Sequence, residues 1–307
     1  MKIVSLDGGG IKGLMTARIL ERLEAAHPGW LATADLFAGT STGGILALAL
    51  ASGMTASQCV GLYRDNGKAI FSGRGLLDSI LGGVDEYFRA DYAQDGLRRV
   101  LEDAFGDKIL KDLPRGVLIP AFDLRRWCPK FFDREHDSDA RVVDVALATS
   151  SAPTYFQAHG WATGRDVTCY ADGGLFANNP SDSAIAFTRA RKADMSKVRM
   201  ISFGTGSTTP PPPREMLGGK TALDWGYRKW LVKPPHYLFS ALFDGGVEAS
   251  HFRSREQLGA HYCRVQPVLT EHIELDSAEK INDLLVIGDR FEIGEAVGWV
   301  KRNWSAS

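Results

Sequence analysis

The chain has 307 residues, 44% hydrophobic and 24% charged, which is the composition of a globular protein and not of a disordered or fibrous one. Its length is ample for a sizeable hydrophobic core. The formal net charge of -1 gives no electrostatic reason to expect nucleic acid as a partner, so any attraction to a membrane must come from a local patch.

The four cysteines lie far apart and form no C-x-x-C pair, so we expect free thiols and neither a zinc site nor a redox motif: Cys59, Cys128, Cys169 and Cys263. The N-terminus has no apolar stretch long enough for a signal peptide, and the most apolar run, residues 45–51, is too short to span a bilayer. The sequence therefore predicts a soluble, cytoplasmic protein.

Short strands and helices alternate along the chain. Residues 2–6 predict a buried strand that ends at three glycines, and residues 11–26 show helical spacing of apolar positions. A second strand at residues 36–38 precedes a helix from about 44 to 52 that is apolar on all sides and hence buried. Further strands are expected at residues 117–122, 167–171, 200–203 and 262–265, and a helical stretch at 278–304.

This alternation predicts an α/β fold, with a largely parallel sheet covered by helices on both faces. Four prolines, Pro210–Pro213, indicate a stiff exposed loop and the best candidate for a boundary. We interpret residues 1–307 as one domain, with a motif-dense part at 3–206 and a looser part at 214–307.

The first chemical motif is Gly39-Thr40-Ser41-Thr42-Gly43, which matches G-x-S-x-G between a strand and a helix. Its glycines permit the tight turn that exposes a serine hydroxyl at the sheet edge. The helix that follows places unpaired N–H groups beneath that serine, where they favour developing negative charge. The alternative is a plain turn in which Ser41 caps the helix.

The second motif is Gly8-Gly9-Gly10-Ile11-Lys12-Gly13, again between a strand and a helix. It matches the G-x-G-x-x-G of dinucleotide-binding proteins, but these require an acid at the end of the second strand, whereas Asp35 precedes that strand. The other interpretation is a cluster of glycine N–H groups that binds an oxyanion. Both glycine-rich turns would then lie at one edge of the sheet, as acyl transfer requires.

A serine nucleophile needs a base, and none of the seven histidines occupies an obvious catalytic turn. Ser41 also comes too early in the chain for the order of an α/β-hydrolase triad. The better candidate is Asp172, which follows a predicted strand and precedes Gly173 and Gly174. Its reference pKa of about 3.9 makes it a weak base, so low polarity around it would help. Taken alone, Asp-Gly-Gly is more typical of a simple turn.

Together, the three motifs resemble the patatin-like phospholipase family in content, order and approximate spacing. The stretch Thr149–Phe156 before Asp172 and the segment Asn178-Asn179-Pro180 after it are also similar to that family. The resemblance implies a three-layer α/β/α fold, a Ser41–Asp172 dyad without histidine, and calcium-independent hydrolysis of acyl esters in phospholipids or galactolipids, with no cofactor and no metal. We expect Gly9 and Gly10, with Gly8, to form the oxyanion hole.

Supporting roles are expected around these groups. Asp7 is interpreted as fixing the glycine loop by accepting backbone N–H bonds, and Lys12 as either an anion-binding group or a cap of the loop. The remaining glycines of the three motifs are expected to shape their turns: Gly13, Gly39, Gly43, Gly173 and Gly174.

Two segments could govern access to lipid. The aromatic and basic stretch between Trp225 and Phe243 could contact a membrane interface, although the pattern slightly favours a core-facing helix with a solvated basic face. Residues 76–81 are a candidate lid. The expected partner is an acyl lipid, with peripheral membrane contact possible. Rival functions are a general esterase or thioesterase, an effector switched on by a nucleotide signal, and a non-catalytic binding module.

Overall fold

A computed structural model describes residues 1–70, 94–153, 155–163, 166–208, 226, 230, 237–271 and 273–304. The prolines at 210–213, the candidate lid at 76–81 and most of the stretch between Trp225 and Phe243 lie outside these ranges. The strands are β1 Lys2–Leu6, β2 Leu36–Gly39, β3 Gly116–Asp123, β4 Cys128–Asp133, β5 His159–Thr163, β6 Asp166–Asp172, β7 Arg199–Phe203, β8 Ser207–Thr208, β9 Tyr262–Val265 and β10 Val268–Leu269. The helices are α1 Gly13–Ala26, α2 Thr42–Ala51, α3 Ala56–Ile70, α4 Asp95–Phe105, α5 Val142–Thr149, α6 Gly174–Ala177, α7 Ser181–Ala190, α8 Tyr237–Leu258, α9 Ile281–Arg290 and α10 Gly294–Asn303.

The central sheet has eight strands in the order β5-β6-β3-β2-β1-β7-β9, with β4 paired to β3. The strands from β9 to β3 run parallel, as the alternation of strands and helices predicts. The pairs β3–β4, β3–β6 and β5–β6 are antiparallel. The strand at residues 167–171 is therefore present as expected, but it runs against its neighbour instead of with it.

Strands β2 and β6 share one edge of β3. Residue Leu118 pairs with both β2 and β4, whereas Ala121 pairs with both β4 and β6. Because a strand has only two edges, β2 and β6 must lie on the same one, and β4 on the other. Strand β2 ends at Gly39 and β6 ends at Asp172, so the two strands point towards each other and meet beside Pro120.

Helices cover both faces of the sheet, which gives the expected three layers. Alternate residues of each strand enter two separate hydrophobic clusters; on β1, Val4 and Leu6 belong to the larger and Ile3 to the smaller. The larger cluster includes α1, α2, α4 and α5, and the smaller includes α7. Helix α2 is buried along its whole length, in agreement with its all-round apolar sequence.

The C-terminal stretch predicted to be helical forms two helices, α9 and α10, that pack against the larger cluster. The Trp304 indole donates to the Trp30 carbonyl oxygen at 2.9 Å, and the two rings meet edge to face at 5.3 Å. These contacts join Trp304, at the end of α10, to the loop that precedes β2. Within the described ranges, no helix has the length and apolar character needed to cross a membrane.

Candidate active site

Ser41 lies at the sharp turn between β2 and α2. Its backbone angles, φ 55° and ψ -126°, fall in a region of conformational space that residues other than glycine rarely occupy. The turn is possible because Gly39 and Gly43 have no side chains: a Cβ on Gly39 would overlap the Gly43 carbonyl, and one on Gly43 would overlap that of Leu6. The fold thus accepts local strain to present the Ser41 hydroxyl at the start of a buried helix.

Asp172 faces Ser41 from the end of β6. Its side chain is only 3% exposed, and its carboxylate accepts a hydrogen bond from the Gly174 N–H at 2.7 Å. Burial raises the pKa of Asp172 to about 7, and the opposing hydrogen bonds from the Ser41 hydroxyl and Gly174 reduce this rise. The sequence predicts that Asp172 would act as a base only in surroundings of low polarity. In the structure the Asp172 carboxylate is buried and lies beside the Ser41 hydroxyl.

Thr149 connects the two converging segments. Its hydroxyl accepts a hydrogen bond from the Ser41 N–H at 3.1 Å and donates to the Pro120 carbonyl oxygen at 2.5 Å. Its own carbonyl accepts from the Gly173 N–H at 3.4 Å, and the neighbouring Ser151 carbonyl accepts from the Asp172 N–H at 2.9 Å. The end of α5 therefore fixes the separation of Ser41 and Asp172. The stretch Thr149–Phe156 stands out in the sequence, but the pattern assigns Thr149 no role of its own.

The glycine loop after β1 runs beside Ser41, and a Cβ on Gly8 would lie 3.2 Å from the Ser41 Cβ. The Gly8 N–H donates to the Asn178 carbonyl at 3.0 Å, so it is already engaged. Neither the Gly9 nor the Gly10 N–H has an acceptor among the described residues. Gly10 adopts φ 60°, which glycine tolerates without strain. Gly9 and Gly10 are therefore the donors that this loop can offer to an anion.

Residues far along the chain hold this loop in place. The Thr205 hydroxyl donates to the Gly8 carbonyl at 2.8 Å, and the Ile11 N–H donates to the Leu275 carbonyl at 2.7 Å. Arg264 on β9 forms two hydrogen bonds with the Asp7 carboxylate, at 3.0 and 2.5 Å, and both side chains are buried. Asp7 thus fixes the loop through a buried ion pair. Among the described residues no backbone N–H donates to its carboxylate, unlike the sequence expectation.

Arg264 is held by further contacts of its own. Its guanidinium also donates to the Ser202 hydroxyl at 2.7 Å and to the Gln266 side-chain oxygen at 3.0 Å. Because these hydrogen bonds fix its guanidinium, Arg264 holds Asp7 in one position. No local motif marks this arginine; the signal that could have found it is a basic residue on a predicted buried strand, which requires a buried acid as partner.

The remaining sequence-predicted residues surround this centre. Gly13 packs where a Cβ would overlap the Thr42 hydroxyl, and Gly173 packs equally closely on the Pro120 carbonyl. Gly174 supplies the N–H that Asp172 accepts. Lys12 lies at the start of α1. Burial lowers the pKa of its amine, and the negative charges of Asp244 and Glu274 only partly oppose this shift. Its two interpretations, anion binding and capping, stay open.

A pocket with about 450 Å³ of empty space, part of it open to solvent, adjoins Ser41. Its lining is mostly apolar and comes from α2, α3, α4 and the loop after α5: Gly10, Ser41, Thr42, Ile45, Tyr63, Ile70, Leu97, Ser150, Ala152, Tyr155, Phe156 and Leu275. Hydroxyls at the wall are satisfied internally, as the Thr42 hydroxyl donates to the Tyr63 hydroxyl at 2.6 Å. Such a pocket suits an alkyl chain better than a charged group.

No histidine among the residues that the structure describes lines this pocket. His159 is buried on β5 with Nε2 at 3.3 Å from Asp144, and His251 lies beside the Tyr262 hydroxyl at 3.2 Å. His136 contacts Asp133 at 2.8 Å. His236 and His272 lie outside the described ranges. Asp172 is the titratable group that faces Ser41.

One group of described residues has the donors for a metal ion. Ligand atoms of Asp133, Glu135 and His136, in the segment that follows β4, lie within 4.8 Å of one another. Asp133 is already occupied, because it accepts from the backbone N–H groups of Glu135 and His136 and pairs with Arg191. None of these residues lines the pocket at Ser41, so the cluster reads as a structured turn.

Comparison with known proteins shows which family this chain resembles. The family model of patatin-like phospholipases matches residues 4–185. A protein of Pseudomonas aeruginosa named "cGAMP-activated phospholipase" is 32% identical over 305 residues, covering 95% of this chain and 83% of its own. One of the same name from Escherichia coli is 38% identical over 197 residues, covering 59% and 54%. Among solved structures, VipD from Legionella pneumophila matches 93% of this chain and 66% of its own, at 14% identity and TM-score 0.46.

Proposed function

Because the chain belongs to the patatin-like phospholipase family, we propose that it hydrolyses carboxylic esters of phospholipids or related acyl lipids through a Ser41–Asp172 dyad. The observation that carries this proposal is the contact between the two side chains: a serine on a strained turn faces a buried aspartate whose pKa is about 7. A base with that pKa is ionised near neutral pH and still basic enough to accept the serine proton.

In the proposed first step, Ser41 Oγ attacks the ester carbonyl carbon while the Asp172 carboxylate takes the hydroxyl proton. The carbonyl oxygen becomes an oxyanion, which the N–H groups of Gly9 and Gly10 stabilise. The intermediate collapses to an acyl-serine ester, and Asp172 returns the proton to the departing alcohol oxygen. Water then attacks the acyl-serine, Asp172 accepts a water proton, and the fatty acid leaves as Ser41 regains its hydrogen.

The pocket beside Ser41 supports a lipid substrate. Its apolar lining would take one acyl chain, and its opening at the site would leave the polar head group towards solvent. We propose that this reaction uses no metal or other cofactor, since each proton transfer and the oxyanion are assigned to groups of the chain itself.

The test uses the purified full chain, a mixed membrane lipid extract and mass spectrometry of the products. We expect free fatty acids and lysolipids with the wild-type protein and a loss of at least about 10⁴-fold with Ser41→Ala. Near-normal turnover by a folded Ser41→Ala protein would show that another residue is the nucleophile. Hydrolysis of dissolved short-chain esters alone, with no action on lipid aggregates, would favour the general esterase.

A second candidate is a phospholipase held inactive until a signal nucleotide binds. The observation in its favour is that the Pseudomonas aeruginosa relative, which aligns with 95% of this chain, is named as activated by cGAMP. Lipid hydrolysis measured with and without added cyclic dinucleotides separates the two. Activity that is equal in both conditions supports a constitutive enzyme, whereas activity only with nucleotide supports the switched one.

A further inference from the structure

Two hairpins project from the edge of the sheet at which Ser41 lies. Strand β3 runs parallel to β2, so the turn after β3 extends in the direction in which β2 leads to Ser41. Strand β6 runs the opposite way and ends at Asp172, so its earlier residues, which pair with β5, lie further out on the same side. The β3–β4 turn and the first part of β6 therefore lie beyond the proposed dyad, on the side from which a substrate would reach it.

The β3–β4 turn carries an exposed tryptophan in an unfavourable conformation. Trp127 is 74% exposed, although its ring touches Phe122 edge-on at a centroid distance of 5.6 Å. Its φ is 56°, a left-handed value that glycine adopts freely and a bulky side chain does not. The fold therefore places a large apolar ring in water at a position better suited to glycine, which points to a role outside the fold itself.

Cations flank this ring. Arg125 and Arg126 are exposed in the same turn, and the nearby acid, Asp123, is buried and accepts both of their backbone N–H groups at 2.9 Å. Lys130 on β4 is paired with Asp137 at 2.5 Å. Arg126 therefore places a positive charge at the exposed tip of the hairpin, whereas the chain as a whole has a formal net charge of -1.

The two hairpins are joined into one surface. The Leu124 N–H donates to the Cys169 carbonyl at 2.9 Å, and the Thr168 hydroxyl donates to Asp123 at 3.1 Å. Arg125 donates to the carbonyl of Val167, and the Val167 side chain is itself 59% exposed. We call Arg125, Arg126, Trp127 and Val167 the hairpin surface.

Aromatic contacts lead from this surface to the loop after Asp172. Phe122, which touches Trp127, also contacts Phe176 at 6.4 Å on helix α6. The residue before Phe176, Leu175, is 41% exposed. It follows Gly174, whose N–H donates a hydrogen bond to the Asp172 carboxylate. The hairpin surface thus has a continuous packed connection to the element that holds the proposed base.

We propose that the hairpin surface docks the protein onto an anionic lipid bilayer, with the Trp127 ring at the level of the head groups and Arg126 towards lipid phosphates. Tryptophan is favoured at membrane interfaces, and exposed cations are attracted to anionic leaflets. Docking in this way would bring Ser41 and its pocket to the phase that contains the substrate. The inference rests on the proposed lipid substrate.

The test measures binding apart from hydrolysis, by co-sedimentation of the full chain with vesicles of ether-linked lipids, which contain no acyl ester. Vesicles of phosphatidylcholine with a fraction of phosphatidylglycerol are compared with phosphatidylcholine alone. We expect binding to the anionic vesicles that weakens as salt is added. Because the chain has seven tryptophans, variants are more informative here than intrinsic fluorescence.

Trp127→Gly is the decisive variant, because glycine suits the local φ and should keep or raise the melting temperature. We expect at least about tenfold weaker vesicle binding from the lost apolar contact, with turnover of a short soluble ester unchanged. Arg126→Glu should weaken binding to anionic vesicles by about fivefold per unit of charge changed, with little effect on neutral ones. Matched controls are Phe252→Ala, an aromatic residue 56% exposed on α8, and Arg290→Glu, an exposed arginine at the end of α9.

The proposal is overturned if the wild-type chain does not bind anionic vesicles, or if Trp127→Gly binds them as well as wild type. It is also overturned if the controls lose binding to the same degree, or if Trp127→Gly loses soluble-ester turnover in proportion, since the hairpin would then serve the fold. A failure of the proposed function looks different: no ester is hydrolysed, whatever happens to vesicle binding.

Discussion

The parallel and antiparallel parts of the sheet contribute in different ways to the site. The parallel part, β9-β7-β1-β2, is buried on both faces and carries Ser41 and the glycine loop at its strand ends. The antiparallel part, β3 to β6, carries Asp172 and exposed side chains in the β3–β4 turn and on β6. The parallel part therefore holds the proposed nucleophile and the proposed oxyanion donors in place, and the antiparallel part supplies the proposed base and the proposed lipid-facing surface.

The same difference appears in how each residue is held. Ser41 depends on a strained turn between glycines, and the glycine loop depends on a buried ion pair from β9. Asp172 depends on where two strands meet at Pro120, with Thr149 as the spacer. Changes in the antiparallel part should therefore alter the chemistry and the pH dependence of activity and stability, whereas changes beneath the glycine loop should lower stability at any pH.

The largest effect expected from this comparison is that of Asp172→Asn, which keeps the shape of the side chain but removes the base. We expect turnover of a soluble ester to fall at least as far as for a lost oxyanion donor, about 10²–10³-fold. For the wild type, activity should be present above pH 7 and decline as the pH falls through about 7, because protonated Asp172 cannot accept the Ser41 proton.

That acidic limb does not by itself exclude a histidine, whose reference pKa is about 6.5. Alanine variants of the histidines decide the point. Each should keep most of its activity wherever circular dichroism shows a folded protein. A single histidine variant as inactive as Ser41→Ala would replace the dyad with a triad.

Asp172→Asn should also change stability, in a direction that follows from linkage. The pKa of Asp172 is raised in the folded state, so the folded protein binds a proton more tightly than the unfolded chain does. The wild type therefore loses stability as pH rises from about 4 to 7, by up to about 4 kcal/mol. The asparagine variant avoids this loss. Thermal unfolding at pH 8 should show a higher melting temperature for the variant, with the difference shrinking near pH 4; an unchanged difference across this range would contradict the raised pKa.

The next effect concerns the buried ion pair in the parallel part. Arg264→Met leaves the Asp7 carboxylate buried without its partner, which should cost about 3–5 kcal/mol of unfolding free energy. Adding Asp7→Asn removes the stranded charge and should recover part of that loss. If the pair positions the glycine loop, kcat for a soluble ester should fall in the folded single variant while KM changes less. Equal stability of the single and double variants in chemical denaturation would show that the pair is not coupled.

The smallest effect expected is that of metal removal. The cluster of Asp133, Glu135 and His136 lies in the antiparallel part but does not line the pocket at Ser41. Activity should stay within error in excess chelator, with Glu135→Ala equally active. Loss of activity on chelation and its recovery with added calcium would assign this cluster, or another site, a role in the reaction.

Much of the parallel part could be predicted from the sequence. Continuous apolar runs with glycine at their ends identify β1, β2 and the turns that follow, and the all-round apolarity of residues 44–52 predicts the burial of α2. Each of these signals is local: a few adjacent residues determine both the element and its environment. The direction of β6 is different, because it depends on which edge of β3 is vacant beyond Leu118, and no local pattern encodes that.

Within the site, the proposed dyad could be predicted and its supports could not. Ser41 and Asp172 follow strands and sit among glycines, which is a visible pattern. Thr149, Arg264 and Leu275 are single residues of common types that act through contacts across the chain. The Trp127 turn was missed for another reason: an exposed aromatic residue looks like a core position until its burial is known.

The contacts that hold the glycine loop also bear on when the protein becomes active during its synthesis. Thr205, Arg264 and Leu275 all come after residue 185, where the family match ends, and a ribosome adds them long after Ser41. Since chains grow from the N-terminus, the nascent protein contains the proposed nucleophile well before the proposed oxyanion donors can be aligned. The proposed hydrolysis is therefore expected only after synthesis has passed Leu275 and these contacts have formed.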